Sequence, residues 1–167
     1  MEKKTKLSRK LHGIKMLLLD VDGVLTDGGL YYSARGVEMK RFNSQDGYGV
    51  VRAHEHGLKI GIVSGRSTPI VAARAKDLAV EEIVQGSKDK LAAMNVIRHR
   101  HSLERREIGF IGDELFDIPL LKTVGLSAAP PNALREVRRS VHYVTRAAGG
   151  EGAVRDFIDF ILDRRGR

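Results

Sequence analysis

The sequence predicts an α/β fold, a three-layer α/β/α sandwich with a central parallel sheet. Short apolar runs alternate along the chain with longer amphipathic stretches. Such an alternation of strands and helices favours parallel pairing, with helices on both faces of the sheet. The apolar runs are nearly continuous, which is typical of strands that are covered on both sides. The 167 residues suit one domain of ordinary size.

Each predicted strand is a short apolar run, and the helices lie between these runs. The predicted strands cover residues 15–19, 58–63, 82–84, 107–111, 125–129 and 142–145. The predicted helices cover residues 47–56, 68–78, 88–100, 116–124, 132–139 and 154–162. Ser67-Thr68-Pro69 is a typical helix start, because hydroxyl side chains cap helices and proline suits the first turn.

The predicted domain organisation is simple. Residues 1–10 form a basic N-terminal tail, and one domain covers residues 11–167, with a C-terminal tail from about 147 to 167. Residues 28–42 contain β-rich runs around a turn-like stretch, which predicts a small projecting β-hairpin. The intervals between the predicted elements leave no room for a separate cap domain.

Composition narrows the possible functions and partners. There are no cysteines, which excludes disulfides and thiol catalysis and is compatible with the cytoplasm. The basic start has no apolar signal core, and no run approaches the ~20 apolar residues of a membrane span, so we expect neither export nor a membrane. The net charge of +8 suits nucleic-acid binding or attraction of a small anion. Because the basic groups lack interleaved aromatic residues, we expect a small anionic substrate and no nucleic acid.

Polar residues follow three predicted strands. Asp20 and Asp22 follow the first, Ser64 follows the second, and Asp113 follows the fourth. Ligands of an open parallel sheet bind beyond the carboxyl ends of its strands, so these residues converge on one crevice. Converging carboxylates repel one another, and a divalent cation such as Mg²⁺, which prefers oxygen ligands, relieves that repulsion.

A second acidic residue, Asp117, lies four positions after Asp113, which places both on one side of a helix start. The simpler alternative is that Asp113 only caps that helix. Because Asp113 follows a strand, as Asp20 and Ser64 do, its place in a shared site is the favoured interpretation.

These residues fall into four ordered motifs that resemble those of the haloacid dehalogenase superfamily of phosphotransferases. The first is DVDGVLT at residues 20–26, the second is Ser64-Gly65, the third is Lys90, and the fourth is GDELFD at residues 112–117. The resemblance implies a Rossmann-like haloacid dehalogenase fold.

A closer resemblance covers the chain from about residue 11. RFNSQDGYG, SGR, Arg74, QGSKDK and GGEGAVR, together with DVDGVLTDG, are similar to the 3-deoxy-D-manno-octulosonate 8-phosphate phosphatase family. This implies a Mg²⁺-dependent cytoplasmic phosphatase, a homotetramer built through its hairpins, that makes the sugar acid of the lipopolysaccharide inner core.

The resemblance also implies residue roles. Asp20 is the nucleophile, and Asp22 is the general acid and then the general base. Asp20, the backbone carbonyl of Asp22 and Asp113 hold the metal, with Asp117 supporting them from outside the ligand set. Ser64 and Lys90 bind the phosphoryl group, with Lys88 and Arg98 as alternatives for the lysine.

Substrate binding is expected from residues on several segments. Arginine forks suit the phosphate and the carboxylate of a sugar acid. The expected substrate-binding residues are Asp22, Asn43, Ser44, Gln45, Asp46, Gly47, Gly65, Arg66, Arg74, Lys90 and Arg155. The glycine-rich run 149–152 suits a close backbone approach near the site or, alternatively, a flexible turn.

Three positions depart from the family pattern. Glu114 stands where the family usually has aspartate, and Gln45 and Val51 stand where members carry arginine, for which Arg52 is a possible substitute. The longer Glu114 side chain affects the surroundings of the metal, and the other two changes remove a cation that would face the substrate. They bear on the exact sugar acid and not on the phosphatase chemistry, and the phosphatase of a nine-carbon sialic-acid-type 9-phosphate stays an alternative. The alternatives from a different class are a non-catalytic phospho-acceptor and a scaffold domain, but receiver-like domains carry the acceptor on the third strand.

Overall fold

A computed structural model describes residues 11–34, 36 and 38–165. The predicted basic tail at residues 1–10 lies outside the described residues. The strands are β1 (Met16–Leu19), β2 (Tyr31–Tyr32), β3 (Glu38–Met39), β4 (Lys59–Val63), β5 (Glu82–Val84), β6 (Ile108–Ile111), β7 (Leu126–Ala129) and β8 (Tyr143–Val144). The α-helices after residue 13 are α1 (Ser44–Glu55), α2 (Pro69–Asp77), α3 (Lys90–Arg100), α4 (Ile118–Leu121), α5 (Arg135–Arg139) and α6 (Ala153–Arg165), and 3₁₀ turns cover Arg105–Glu107 and Leu115–Asp117.

Six strands form one parallel sheet in the order β5-β4-β1-β6-β7-β8, which confirms the predicted central sheet. β1 pairs with β4 on one side and with β6 on the other, so that Leu17 lies opposite both Ile60 and Gly109. After β1, the chain adds β4 and β5 on one side of it and then β6, β7 and β8 on the other. Such a reversal opens a crevice at the carboxyl ends of the central strands.

Two apolar clusters, one on each face of the sheet, make up the core. Leu17 and Leu19 of β1 belong to the cluster that contains residues of α1, α2 and α6. Met16 and Leu18 point the other way and belong to the cluster with α3, α4 and α5. This alternation, together with the complete burial of all four β1 residues, gives the predicted three-layer sandwich.

Side-chain caps fix the starts of the helices near the sheet edge. Thr68 accepts a hydrogen bond from the N–H of Val71, and Pro69 is the first residue of α2, as predicted. Asp89 likewise accepts from the N–H of Ala92, so α3 begins at Lys90.

Two predicted helices are shorter than the sequence suggests. The helix predicted over 116–124 divides into the 3₁₀ turn and α4, because the Asp117 carboxylate bonds the N–H groups of Asp113 and Glu114 and tightens that turn. The helix predicted over 132–139 begins only at Arg135. Asn132 instead uses its side chain to bond two distant backbone groups.

The predicted hairpin is present, with β2 and β3 antiparallel and Tyr31 opposite Met39. Leu30, Tyr31, Tyr32 and Met39 are exposed large apolar residues on it. In the described part of the chain, the segment between β1 and α1 contains no other strand or helix, which agrees with the absence of a cap domain. None of the described helices is long and apolar enough to cross a membrane.

Asp46 joins α1 to the start of α6. Its carboxylate is buried and accepts a 2.8 Å hydrogen bond from the N–H of Arg155 in the first turn of α6. The N-terminus of a helix favours a carboxylate. Hydrogen bonds from the backbone N–H groups of Gly152, Val154 and Arg155 lower the pKa of Asp46. Burial has the larger effect and raises this pKa to about 6.

The raised pKa predicts how Asp46 affects stability between pH 4 and 6. Below the ordinary value of 3.8 the group is protonated in both the folded and unfolded states; between 3.8 and about 6, the folded state binds more proton. As pH rises through that window, the free energy of unfolding of the unchanged protein therefore falls by about 2 kcal/mol relative to that of Asp46→Asn. Above the window, the difference between the two proteins stays constant. Urea unfolding of both proteins at several pH values measures this difference. Parallel pH profiles for the two proteins would contradict it.

Candidate active site

The polar strand ends meet in one cavity at the crevice of the sheet. Asp20, Ser64 and Asp113 all lie at the carboxyl edge, one or two residues beyond β1, β4 and β6. The cavity has a volume of about 420 Å³. Its lining consists of Asp20, Asp22, Gly23, Gly28, Ser64, Gly65, Arg66, Asp113, Glu114 and Phe116. The sequence therefore identified this convergence correctly.

Lys90 lies between two buried carboxylates at the floor of the site. Its ammonium nitrogen is 2.7 Å from Asp20 Oδ2 and 2.7 Å from Asp117 Oδ1, and all three residues are buried. The cation also lies 4.7 Å from the centroid of the Phe116 ring. Among the lysine alternatives, Arg98 instead bonds Asn95 and Lys88 is exposed, so the geometry selects Lys90.

The acidic cluster carries more negative charge than Lys90 can neutralise. One ligand oxygen from each of Asp20, Asp113 and Asp117 lies within 4.8 Å of the others. Burial, followed by repulsion from Asp20 and Asp117, raises the pKa of Asp113 to about 7. Burial also raises the pKa of Asp20, although Lys90 opposes the shift.

A divalent cation fits this cluster. Three carboxylates face one ammonium group, and hard cations bind carboxylate oxygens. Asp117 has limited capacity as a ligand, because one of its oxygens accepts from the N–H groups of Asp113 and Glu114 and the other faces Lys90. Asp20 and Asp113 are therefore the side chains best placed to hold the metal.

Asp22 lies at the rim of the cavity and contacts the hairpin. Its carboxylate forms an ion pair with Lys40, whose side chain is fully buried, and Asp22 Oδ2 lies 3.7 Å from Arg66 Nε. The Arg66 guanidinium also donates a 2.8 Å hydrogen bond to the Tyr32 hydroxyl. Lys40 was not among the predicted site residues, because no local pattern shows that a lysine after β3 folds back onto Asp22.

Ser64 and Gly65 form the wall opposite the acids. Ser64 is buried, and its hydroxyl oxygen accepts a 3.3 Å hydrogen bond from the N–H of Arg66. The same hydroxyl can donate its hydrogen to an oxygen in the cavity. Phe116, which half-exposes its ring at the rim, is a further residue that the sequence motifs did not single out.

The other predicted substrate-binding residues do not line this cavity. Gln45 and Arg155 line a second cavity of about 550 Å³ at the start of α6. Asp46 is buried against α6, and Asn43 caps α1 and donates to the carbonyl of Gly150. Arg74 lies over the Phe42 ring, 5.6 Å from its centroid. Ser44 is exposed and Gly47 is buried beside Arg74, so the substrate roles of this group stay predictions.

The sequence is similar to known phosphatases along most of its length. The profile of the haloacid dehalogenase-like hydrolase family matches residues 71–158. The 3-deoxy-D-manno-octulosonate 8-phosphate phosphatase of Escherichia coli K12 is 37% identical over 158 residues, which cover 95% of this chain and 84% of the relative. This chain belongs to the 3-deoxy-D-manno-octulosonate 8-phosphate phosphatase family of haloacid dehalogenase-like hydrolases.

Solved structures of the family share the whole fold. The phosphatase of Moraxella catarrhalis, in complex with a magnesium ion, a phosphate ion and KDO, has a TM-score of 0.94 and 34% identity, and the match covers 97% of this chain and 93% of that one. The cobalt-bound phosphatase of Haemophilus influenzae has a TM-score of 0.91 and 34% identity, with 94% and 92% covered.

The departures from the family pattern lie in different environments. Glu114 lines the active-site cavity, and its carboxylate accepts a 2.7 Å hydrogen bond from the N–H of Leu115. Val51 is exposed on α1. Arg52, the possible substitute for the missing arginine, forms an ion pair with Asp159 of α6.

Gly23 allows Asp113 to approach the loop that carries the nucleophile. A Cβ atom at Gly23 would lie 2.0 Å from Asp113 Oδ2, and the residue has φ +80°. A side chain here would therefore displace the carboxylate that we expect to hold the metal.

Gly23→Ala is expected to lower phosphatase activity at least about 100-fold, because the Asp113 carboxylate must leave the position it now occupies. The Mg²⁺ affinity of the metal-free protein, measured by calorimetry, falls as well. Gly57→Ala is the matched control: Gly57 also has positive φ, at +68°, but nothing lies within 4 Å of its Cβ position. The control loses about 1 kcal/mol of stability and keeps its activity. Equal activity in both variants would refute the role of Gly23.

Proposed function

We propose that this protein hydrolyses 3-deoxy-D-manno-octulosonate 8-phosphate to the free sugar acid and phosphate, in the synthesis of the lipopolysaccharide inner core. The observation that carries the proposal is the buried Asp20–Lys90–Asp117 ion-pair system beside Asp113, at the crevice of a chain from this phosphatase family. Its intact acids also argue against a scaffold or a non-catalytic phospho-acceptor.

The first step transfers the phosphoryl group to Asp20. A carboxylate oxygen of Asp20 attacks phosphorus while the bond from phosphorus to the sugar oxygen breaks. Asp22 gives its proton to that leaving oxygen, so the products are the sugar acid and an aspartyl phosphate. Lys40 and Arg66 contact the Asp22 carboxylate and orient it towards the leaving group.

The second step releases phosphate. Asp22, now ionised, takes a proton from a water molecule whose oxygen attacks phosphorus. The bond between phosphorus and the Asp20 oxygen breaks, which gives inorganic phosphate and restores the Asp20 carboxylate and the protonated Asp22. One group therefore serves as acid in the first step and as base in the second.

Fixed positive charge and hydrogen-bond donors stabilise the transferred group. Lys90 holds Asp20 in place and places a cation beside the phosphoryl oxygens, and Ser64 donates its hydroxyl hydrogen to one of them. Asp20, Asp113 and the backbone carbonyl of Asp22 would hold Mg²⁺, which would supply positive charge to the phosphoryl group.

Substrate recognition is assigned to charged residues around the cavity. Arg66 lies on its wall and is exposed, so its guanidinium can pair with an anionic group of the sugar acid. The distant arginines Arg74 and Arg155 would act only if substrate, or another copy of the chain, extends to them. Both side chains are partly exposed, and a guanidinium suits an anionic group, so their roles remain proposals.

The proposed assembly is a homotetramer. The hairpin supports it, because Tyr31, Tyr32 and Met39 expose 48%, 59% and 63% of their surface. Contiguous exposed apolar surface is typical of an interface. Light scattering gives the mass of the assembly directly. The cytoplasmic location stays a prediction.

Asp20→Asn is expected to abolish steady-state phosphate release, because an amide oxygen cannot form the phosphoenzyme. Asp77→Asn, which changes an exposed aspartate at the end of α2, is the control and keeps full activity. Circular dichroism checks that both variants fold. Turnover by Asp20→Asn at even a tenth of the normal rate would contradict the nucleophile assignment.

The substrate is tested by comparing phosphate release from two esters with Mg²⁺ present. We expect kcat/KM for the eight-carbon 8-phosphate to exceed that for a nine-carbon nonulosonate 9-phosphate by at least about tenfold, a difference of about 1.4 kcal/mol in transition-state binding. A preference for the nine-carbon ester would replace the proposed substrate with the alternative one.

A further inference from the structure

The glycine-rich turn before α6 packs on the loop that carries the catalytic acids of the same chain. We call residues 149–152 the C-terminal turn and residues 20–27, which follow β1, the nucleophile loop. The N–H of Gly150 donates a 3.0 Å hydrogen bond to the carbonyl of Val24. Gly149 and Gly150 are buried in this contact. The turn is therefore part of the support of the active site.

The two segments touch backbone to backbone. A Cβ atom at Gly149 would lie 1.9 Å from the carbonyl oxygen of Gly23, and one at Gly150 would lie 2.4 Å from the backbone nitrogen of Asp27. Backbone atoms cannot rotate away as the end of a side chain can. The contact thus fixes how far Gly23 can move towards the turn.

Asn132 joins both segments through a single side chain. Its amide Nδ2 donates a 3.1 Å hydrogen bond to the carbonyl of Gly23, and its Oδ1 accepts a 2.7 Å hydrogen bond from the N–H of Gly149. Asn132 lies between β7 and α5, so a third segment of the chain sets the spacing of the other two. Neither the motifs nor the proposed mechanism uses this residue.

The Gly23 peptide is confined on its other side by Asp113. The Asp113 carboxylate occupies the space that a Gly23 side chain would take, at 2.0 Å from the Cβ position. Gly23 directly follows Asp22, whose backbone carbonyl and side chain both have roles in the proposed mechanism. A shift of Gly23 therefore changes the relative positions of Asp22 and Asp113.

We infer that Asn132 is a positioning residue of the phosphatase reaction, which holds the Gly23 carbonyl and thereby sets the place of Gly23 and the adjoining Asp22 against Asp113 from outside the cavity. This inference rests on the proposed function for its catalytic readout. Asn132 touches none of the reacting groups, and its effect passes through the Gly23 carbonyl. Small displacements of catalytic groups cost up to about 100-fold in rate; loss of one polar anchor is expected to cost about tenfold.

The exposure of Asn132 makes the test clean. The residue is exposed, so that Asn132→Ala opens no cavity in the core and leaves the protein folded. Asn132→Asp separates the two hydrogen bonds, because it keeps an acceptor for the Gly149 N–H but sets a carboxylate against the Gly23 carbonyl. Asn95→Ala is the matched control, since the Asn95 side chain bonds Arg98 and Arg105 and neither of the two segments.

The experiment measures kcat, KM, the melting temperature and the Mg²⁺ affinity of the metal-free protein by calorimetry. For Asn132→Ala we expect kcat to fall about tenfold with KM within twofold and Mg²⁺ affinity to fall at least about threefold. The melting temperature is expected to fall by only about 4 °C, because two hydrogen bonds are lost but the protein stays folded. Asn132→Asp is at least as impaired in kcat, and Asn95→Ala is unchanged.

Several results would overturn the inference. For Asn132→Ala these are a kcat within twofold of normal, an unchanged Mg²⁺ affinity, or a loss of activity that merely follows the fraction of unfolded protein. Full activity of Asn132→Asp would also overturn it, because the bond to the Gly23 carbonyl would then be dispensable and Asn132 would only anchor the C-terminal turn. If the unchanged protein releases no phosphate from the eight-carbon ester, the proposed function fails. The Mg²⁺ titration still tests Asn132 in that case, because it needs no substrate.

Discussion

Three carboxylates and one ammonium group share a buried space at the carboxyl edge of the sheet, and the rest of the site depends on this charge imbalance. Asp20, Asp113 and Asp117 face Lys90 with few other compensating charges in the cluster. Unpaired buried charge is costly, and here it appears as raised pKa values of Asp20 and Asp113. A bound divalent cation would supply the missing positive charge. The same arrangement that burdens the free protein thus favours binding of a cation, whose charge would in turn offset that of an anionic phosphoryl group.

The surrounding elements hold this cluster from several directions. Asp117 bonds the backbone at Asp113, Asp89 fixes the start of α3 and so the place of Lys90, and Lys40 reaches Asp22 from the hairpin. Each of these contacts sets the position of a charged group. The small hairpin therefore contributes to the site although the chain has no cap domain among its described residues.

The arrangement around α6 shows a second use of close backbone packing. The buried Asp46 caps the helix, and the C-terminal turn before it lies against the nucleophile loop. Two glycines are needed there because backbone atoms of Gly23 and Asp27 occupy the space of their side chains. For the glycine-rich run, the sequence allowed either a close backbone approach near the site or a flexible turn. In the structure this run packs against the nucleophile loop of the same chain.

The sequence by itself determined the sheet, the strand ends and their acids. Nearly continuous apolar runs predict buried parallel strands. The ordered motifs placed Asp20, Ser64 and Asp113 in one cavity, because strand ends are local features that a parallel sheet brings to one edge, and Lys90 forms an ion pair with Asp20. Only the tertiary structure decided the contacts made across long separations in sequence. Lys40 on Asp22, Asn132 on Gly23 and Asp46 on α6 join segments whose local patterns contain no information about each other. For the same reason, the predicted substrate residues do not share one cavity: Asp22, Gly65 and Arg66 line the active-site cavity, Gln45 and Arg155 line a second one, and the others line neither. Their residue types indicated anion binding, but their positions follow from how the helices pack.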